Sequence, residues 1–240
     1  IIQMKNIKEK VKGINMSIKA VLFDMDGLMV DTESLATEAL IHSAKKQGYE
    51  MTEEETFQVL GFTTKSIYEF WENYFKNSGV SGKQLVEDHY KYMENVLFTV
   101  GPKKMPYIEE LLIYLKERNY KVAVASSSSM NHIINNMEKT GLKKYIDEFA
   151  SGAEVENGKP APDVFLLAAE RLGVKPEECL VLEDSKAGVL AGSSAGAKVI
   201  MVPDMFKPDE ECKERTYRIV GNLGEVISIL EEKNNENFNR

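Results

Sequence analysis

The 240-residue sequence predicts an α/β fold: a parallel sheet with helices on both faces, interrupted by an inserted α-helical domain. Short, nearly continuous apolar runs alternate with helix-period segments, the pattern of a parallel sheet covered on both sides. Between residues 33 and 98 that alternation stops and only helical patterns remain. At three strand ends the apolar run gives way at once to Asp, Ser or Glu-Asp, and ligands of such sheets bind beyond the carboxyl ends of the strands.

Residues 1–17 precede the first strand and read as an extension, in which Ile7, Val11 and Ile14 have the spacing of a short amphipathic helix. Its first ten residues are too polar for a secretory signal. The run Lys19-Ala-Val-Leu-Phe-Asp24-Met-Asp26-Gly27 is a buried-strand signal ending in two carboxylates. Side chains alternate along an extended chain, so Asp24 and Asp26 face the same way. Like charges that close require a cation, a shared proton or both. This suits a metal-assisted nucleophile better than a fold-stabilising pair. Gly27 allows the backbone to turn sharply there.

Glu33 to Gln47 has helix-spaced Leu35, Ala39, Leu40 and Ala44, and Gly48 is the stop signal. Further helices are expected over 53–60, 65–76 and 83–97, with Ser81 as the N-cap of the last. From Pro106 the alternation resumes. A helix over 108–118, a strand over 122–126 and a helix over 131–140 come first. A strand over 148–151, a helix over 163–172, a strand over 179–183, a helix over 186–195 and a strand over 198–202 follow. The expected division is a core of residues 18–32 and 100–232, a helical cap of 33–99, and a polar, Asn-rich tail of 233–240.

A net charge of −8 argues against nucleic acid and anionic membranes as partners, so an anionic substrate must be held by a local cluster of cations and amides. No apolar run approaches the roughly 18 residues of a membrane span. Cys179 opens an apolar strand and Cys212 falls in a charged loop. Two such unmatched thiols indicate a reducing compartment, and the cytoplasm is the expected location. His42, His89 and His132 show no metal-ligand spacing and read as surface or capping residues.

The chemistry-bearing residues converge by topology. The first strand delivers Asp24 and Asp26, the second Ser126-Ser127-Ser128-Ser129, the third Glu183-Asp184-Ser185. A loop, Gly158-Lys159-Pro160-Ala161-Pro162-Asp163, adds a lysine beside stiffening prolines. Taken singly, these are ordinary features: a turn pair, a capping serine run, a solvated lysine, a helix N-terminal signature. Together, in order and at successive strand ends, they form a constellation that a chance arrangement does not readily produce.

Those four motifs resemble the haloacid dehalogenase superfamily, in the β-phosphoglucomutase and sugar-phosphatase-like subgroup with a helical cap between the first and second motifs. The resemblance covers essentially residues 18–230. It implies a Rossmann-like core and a phosphohydrolase using Mg²⁺, which suits a site of carboxylates, waters and substrate oxygens. Asp24 is the implied nucleophile and Asp26 the general acid and base. The implied metal ligands are the Asp24 carboxylate, the Asp26 backbone carbonyl and Asp184, with Glu183 beside them. Lys159, Ser126 and the amides around Ser127 are the implied binders of the transferring phosphoryl oxygens.

Within that family, Asp26 argues against halide displacement and against the phosphonate-cleaving branch, whose members lack an acid there. The mutases resembled here carry a histidine soon after the Asp-Thr pair, whereas Asp31-Thr32 is followed by Glu-Ser-Leu-Ala and the first histidine is His42. They also carry an arginine in the loop that is Gly61-Phe62-Thr63-Thr64-Lys65 here. Lys65 is the candidate contact for an anionic substrate group, without arginine's bidentate geometry. The expected activity is therefore phosphatase, with the mutase as alternative. A non-catalytic binding module would be marked by loss of the nucleophile or a metal ligand, and neither is lost. The expected substrate is a small phosphorylated metabolite, a sugar phosphate above all, and the expected state a monomer. Phe70, Trp71 and Tyr74 read as packing core of the cap, and segments near Asp31–Glu33 and Thr99–Lys103 as hinge candidates.

Overall fold

The computed structural model describes residues 18–59, 62, 64–204 and 207–238, with side chains through residue 232. The expected helix around Ile7–Ile14 and the cap-loop residues Gly61 and Thr63 lie outside the described residues. In chain order the elements open with strands β1 (Ala20–Phe23) and β2 (Val30–Asp31) and helices α1 (Thr32–Lys46) and α2 (Glu53–Thr56). Helices α3 (Thr64–Tyr74) and α4 (Gly82–Thr99), strand β3 (Lys103–Lys104) and helix α5 (Ile108–Glu117) follow. Then come β4 (Lys121–Ser126), α6 (Met130–Lys139), β5 (Glu148–Ser151) and α7 (Asp163–Leu172). The chain finishes with β6 (Cys179–Glu183), α8 (Lys186–Ser194), β7 (Lys198–Met201), α9 (Glu210–Arg215), β8 (Arg218–Ile219) and α10 (Gly224–Phe238).

The residues divide into two compact units. The first, described up to Leu28, over Pro106–Met130 and from Tyr145 onward, contains a six-stranded parallel sheet in the order β5-β4-β1-β6-β7-β8. β1 lies inside the sheet, with Phe23 in register with Val124 on one side and Leu182 on the other. Every residue of β1 and β6 is buried, which explains why both read as unbroken apolar runs. Ala20, Leu22, Ala123, Ala125 and Val181 pack with Val164, Phe165, Ala168 and Ala169 of α7. The small alanines of β4 leave room for the helix to lie close. Burying this face removes apolar surface at about 25 cal/mol per Å².

The second unit, Met29–Met105 with Asn131–Lys144, is helical apart from a short antiparallel ribbon. In it β2 and β3 pair through Val30–Lys104 and Asp31–Lys103. Its core gathers Leu40, Ala44, Met51, Val59, Trp71, Phe75, Leu85 and Val86. Trp71 and Phe75 are therefore packing residues, whereas Tyr74 keeps an exposed edge. α2 starts with a capping box between Thr52 and Glu55, two orphan donors satisfied reciprocally. Helix α6 joins this unit by contact: Asn135 Nδ2 donates to the Leu97 carbonyl at 2.8 Å and Lys139 to that of Thr99 at 2.9 Å.

Several expectations need correction. Cys212 is buried inside α9 rather than exposed in a charged loop, because Asp209 caps that short helix and turns the cysteine inward. His89 is buried on α4, one helical turn after Leu85, not at the surface. The expected helix over 53–60 ends at Thr56 and continues as a 3₁₀ turn over Phe57–Val59. The polar tail carried no structural expectation, and α10, Gly224–Phe238, runs into it.

Candidate active site

The site lies wholly within the sheet-bearing unit, at the carboxyl ends of β1, β4 and β6. Backbone register puts it there. The Asp24 N–H donates to the Leu182 carbonyl at 3.0 Å, extending the β1–β6 pairing one residue beyond Phe23. Ser126 closes β4 opposite Ser151 of β5, and Glu183 closes β6 opposite Met201.

Lys159 joins these ends. Its ammonium donates to Asp24 Oδ1 and, at 2.7 Å, to Glu183 Oε1, and its side chain is only 6% exposed. The ring of Phe165, 4.7 Å away, covers the ammonium from another side. The lysine arrives on a loop whose Lys159–Pro160 peptide is cis. Burial works to lower the lysine's pKa, but the Asp24 and Glu183 carboxylates override it and hold the ammonium above its ordinary range.

Asp24, Glu183 and Asp184 each offer a carboxylate oxygen, all within 4.8 Å of one another. Burial raises Asp24 to about 7, with Lys159 opposing and Glu183 and Asp26 adding to the rise. Burial likewise raises Asp184 to about 9, reinforced by Asp24 and Glu183. Three carboxylates held against one ammonium are short of positive charge. An all-oxygen set of this kind fits a hard divalent cation. Gly27 shapes it: φ is +79°, and a Cβ there would sit 2.5 Å from Asp184 Oδ2.

Glu183 has no exposure and both its oxygens are engaged. Oε1 accepts from Lys159, while Oε2 accepts from the Ser185 N–H and Oγ, each at 2.9 Å. Ser185 Oγ in turn accepts from the Gly188 N–H at 3.1 Å, capping α8. A Cβ on Gly188 would fall onto the Glu183 carboxylate, so glycine alone admits this helix so close.

Asp26, half-buried, is met from β4. Its Oδ2 accepts from Ser128 Oγ at 2.9 Å and from Ser126 Oγ at 3.3 Å. The structure thus brings Asp24, Asp26, Ser126, Lys159, Glu183 and Asp184 together. Ser127 is exposed at the same strand end and is not drawn into this set of side-chain contacts. Lys65 belongs to the helical unit, largely exposed and 3.8 Å from Glu69 on α3. Sequence reasoning placed Ser128 and Ser185 at the strand ends without giving either a role, and missed Gly188. The sequence holds a signal for Ser185, an N-cap type immediately before a helix.

Comparison with known proteins agrees with the class defined by this fold and site. The family model of haloacid dehalogenase-like hydrolases matches residues 21–202, and the chain belongs to that family. A phosphorylated carbohydrates phosphatase of Thermotoga maritima is 33% identical over 218 residues, covering 89% of this chain and 91% of that protein. The (DL)-glycerol-3-phosphatase 2 of Arabidopsis thaliana is 32% identical over 200 residues, covering 78% and 80%. Among solved structures, the β-phosphoglucomutase of Clostridium difficile aligns with a TM-score of 0.67 and 27% identity, over 93% of this chain and all of that one. No helix among the described residues is long and apolar enough to cross a membrane.

Proposed function

We propose that this family member hydrolyses a small phosphorylated metabolite, a sugar phosphate above all, through an aspartyl-phosphate on Asp24. It is a phosphoric monoester hydrolase. The observation that carries the proposal is the contact of one buried lysine with both Asp24 and Glu183, beside Asp184. In the proposed reaction an Asp24 oxygen attacks phosphorus while Lys159 and the Ser126 hydroxyl neutralise the phosphoryl oxygens. Asp26 gives a proton to the leaving alkoxide and later takes one from the attacking water, work typically worth about 10²–10⁴-fold. Asp24, Asp184 and the Asp26 carbonyl are the proposed holders of Mg²⁺, with Glu183 beside them in the same acidic cluster. When bound, Mg²⁺ supplies the charge neutralisation that lets a carboxylate approach a phosphate dianion. Residues 33–99 are proposed as the cap that selects the substrate, with Lys65 as a contact for its anionic group, and Ser127 as a second substrate contact at the core.

A mutase reading is favoured by one observation, the likeness to the β-phosphoglucomutase structure. The two readings part in a phosphate-release screen over sugar phosphates with Mg²⁺, run beside isomerisation of β-glucose 1-phosphate. The expected result is phosphate release well above isomerisation. Efficient isomerisation with negligible release would favour the mutase.

A further inference from the structure

We infer that Ser128 is a positioning residue that determines which oxygen of Asp26 handles the proton, an inference that rests on the acid–base role proposed above for Asp26. Asp26 Oδ2 accepts two hydroxyl donors, from Ser128 at 2.9 Å and from Ser126 at 3.3 Å. These donors are not free to wander. Ser126 Oγ also accepts from the Ser128 N–H at 3.0 Å, and the Ser128 carbonyl accepts from Ser151 Oγ at 2.7 Å. Ser151 is fully buried on β5, and its N–H donates to Glu154, whose two oxygens accept from the Arg171 guanidinium at 2.8 and 3.1 Å. The loop after β4 is thereby tied to the neighbouring strand, and Ser128 Oγ is aimed at Asp26 by backbone as well as side-chain bonds.

A carboxylate has two oxygens and about four lone-pair sites. Ser126 has a single hydroxyl proton, which turns to the phosphoryl oxygens during the reaction, so Ser128 is the lasting donor to Oδ2 and the proton of the acid form resides on Oδ1. As the bond from phosphorus to the leaving oxygen breaks and the Asp24 oxygen–phosphorus bond forms, that proton passes to the leaving oxygen and Asp26 remains a carboxylate. In the second step water attacks phosphorus, its proton goes to Asp26 Oδ1, and the Asp24 carboxylate and inorganic phosphate separate. Ser128 keeps its hydroxyl proton throughout. It orients the carboxyl plane so that Oδ1, the oxygen without a hydroxyl donor, performs both transfers. A misoriented acid costs most where the leaving group needs its proton most.

The test compares kcat/KM, which reports the first phosphoryl transfer, for two substrates and three proteins. The substrates are the sugar phosphate hydrolysed fastest in the screen, whose leaving group is an alkoxide, and p-nitrophenyl phosphate, whose phenolate leaves without protonation. The proteins are wild type, Ser128→Ala and Ser128→Thr, with melting curves confirming that each is folded. In Ser128→Ala the sugar phosphate value is expected to fall about 10-fold or more, a part of the whole acid–base contribution. The p-nitrophenyl phosphate value is expected to fall by a clearly smaller factor. Ser128→Thr, which keeps the hydroxyl, restores most of the loss. Equal losses on both substrates, or no loss on the sugar phosphate, would overturn the inference. Wild-type protein that releases phosphate from neither substrate would instead overturn the proposed phosphatase reaction.

Discussion

The Lys159 ammonium lies 2.7 Å from Glu183 Oε1, and through this bond the end of β6 controls a lysine that also serves Asp24 on β1. Glu183 is thus a brace for the buried Lys159 ammonium as well as a proposed metal neighbour. Glu183→Gln keeps the shape and removes one charge from the cluster. The expected outcome is a higher Mg²⁺ concentration for half-maximal activity and a kcat at least about 10-fold lower, given that hydrogen bonds to charged groups are worth about 1.5–3 kcal/mol. Metal titrations of activity measure both, and an unchanged Mg²⁺ dependence would remove Glu183 from the charge balance.

Gly188→Ala sets two effects against each other. Alanine in a helix interior gains about 1 kcal/mol over glycine. Here its Cβ meets the Glu183 carboxylate, which is fully buried and bonded through both oxygens, so it has nowhere to move. Overpacking typically costs about 1–3 kcal/mol, and steric cost wins. The melting temperature is expected to fall and activity to fall with it. A rise in melting temperature would mean that Glu183 yields easily.

His89 makes the helical unit sensitive to acid. Its Nδ1 is buried without a hydrogen-bond partner, and burial lowers its pKa to about 4 from 6.5, with a backbone bond to Ala36 opposing. A lowered folded-state value means that the unfolded chain binds the proton more tightly. The contribution to stability is therefore fully present above pH 6.5 and is lost as pH falls toward about 4. At 1.36 kcal/mol per pKa unit the loss is about 3 kcal/mol. Urea unfolding of wild type and His89→Leu between pH 7 and pH 4 checks this. The wild type should lose more than the variant, and parallel losses would exonerate His89.

Metal removal acts on the other unit with the opposite sign. Asp24 and Asp184 have folded-state values raised to about 7 and about 9, so each ionises at a cost to the folded state. In metal-free protein that cost grows as pH rises from 3.8 through those values. A bound cation offsets it, and ligand at 100-fold its Kd adds about 2.7 kcal/mol. The gain in melting temperature from Mg²⁺ over EDTA should be larger at pH 8 than at pH 5. A gain that shrinks with pH would contradict the assigned carboxylates.

Much of this molecule is legible in its sequence because the strands are buried on both faces. β1, β4 and β6 read as apolar runs for that reason, and the residues that follow them read as a site. β8 was illegible because Arg218 and Ile219 are exposed at a sheet edge and carry no pattern. α9 escaped because a six-residue helix has too few turns to display a period. His89 carried a faint signal, its place four residues after Leu85 on a buried face. The serine run after β4 is the instructive case. Composition marks the run as polar, but only the turn of the loop decides that Ser128 meets Asp26 while Ser127 is exposed. Lys159 and Asp24 are 135 residues apart, so their contact is set by the sheet order and not by any local rule.

The central claim is that Asp24 carries the phosphoryl group during turnover. Acid quenching of the protein during steady-state hydrolysis, followed by peptide mass mapping, tests it directly. The account predicts one phosphoryl group on the peptide containing Asp24, absent from Asp24→Asn protein that remains folded and inactive. Turnover with the phosphoryl group on another residue, or an active Asp24→Asn protein, would contradict it.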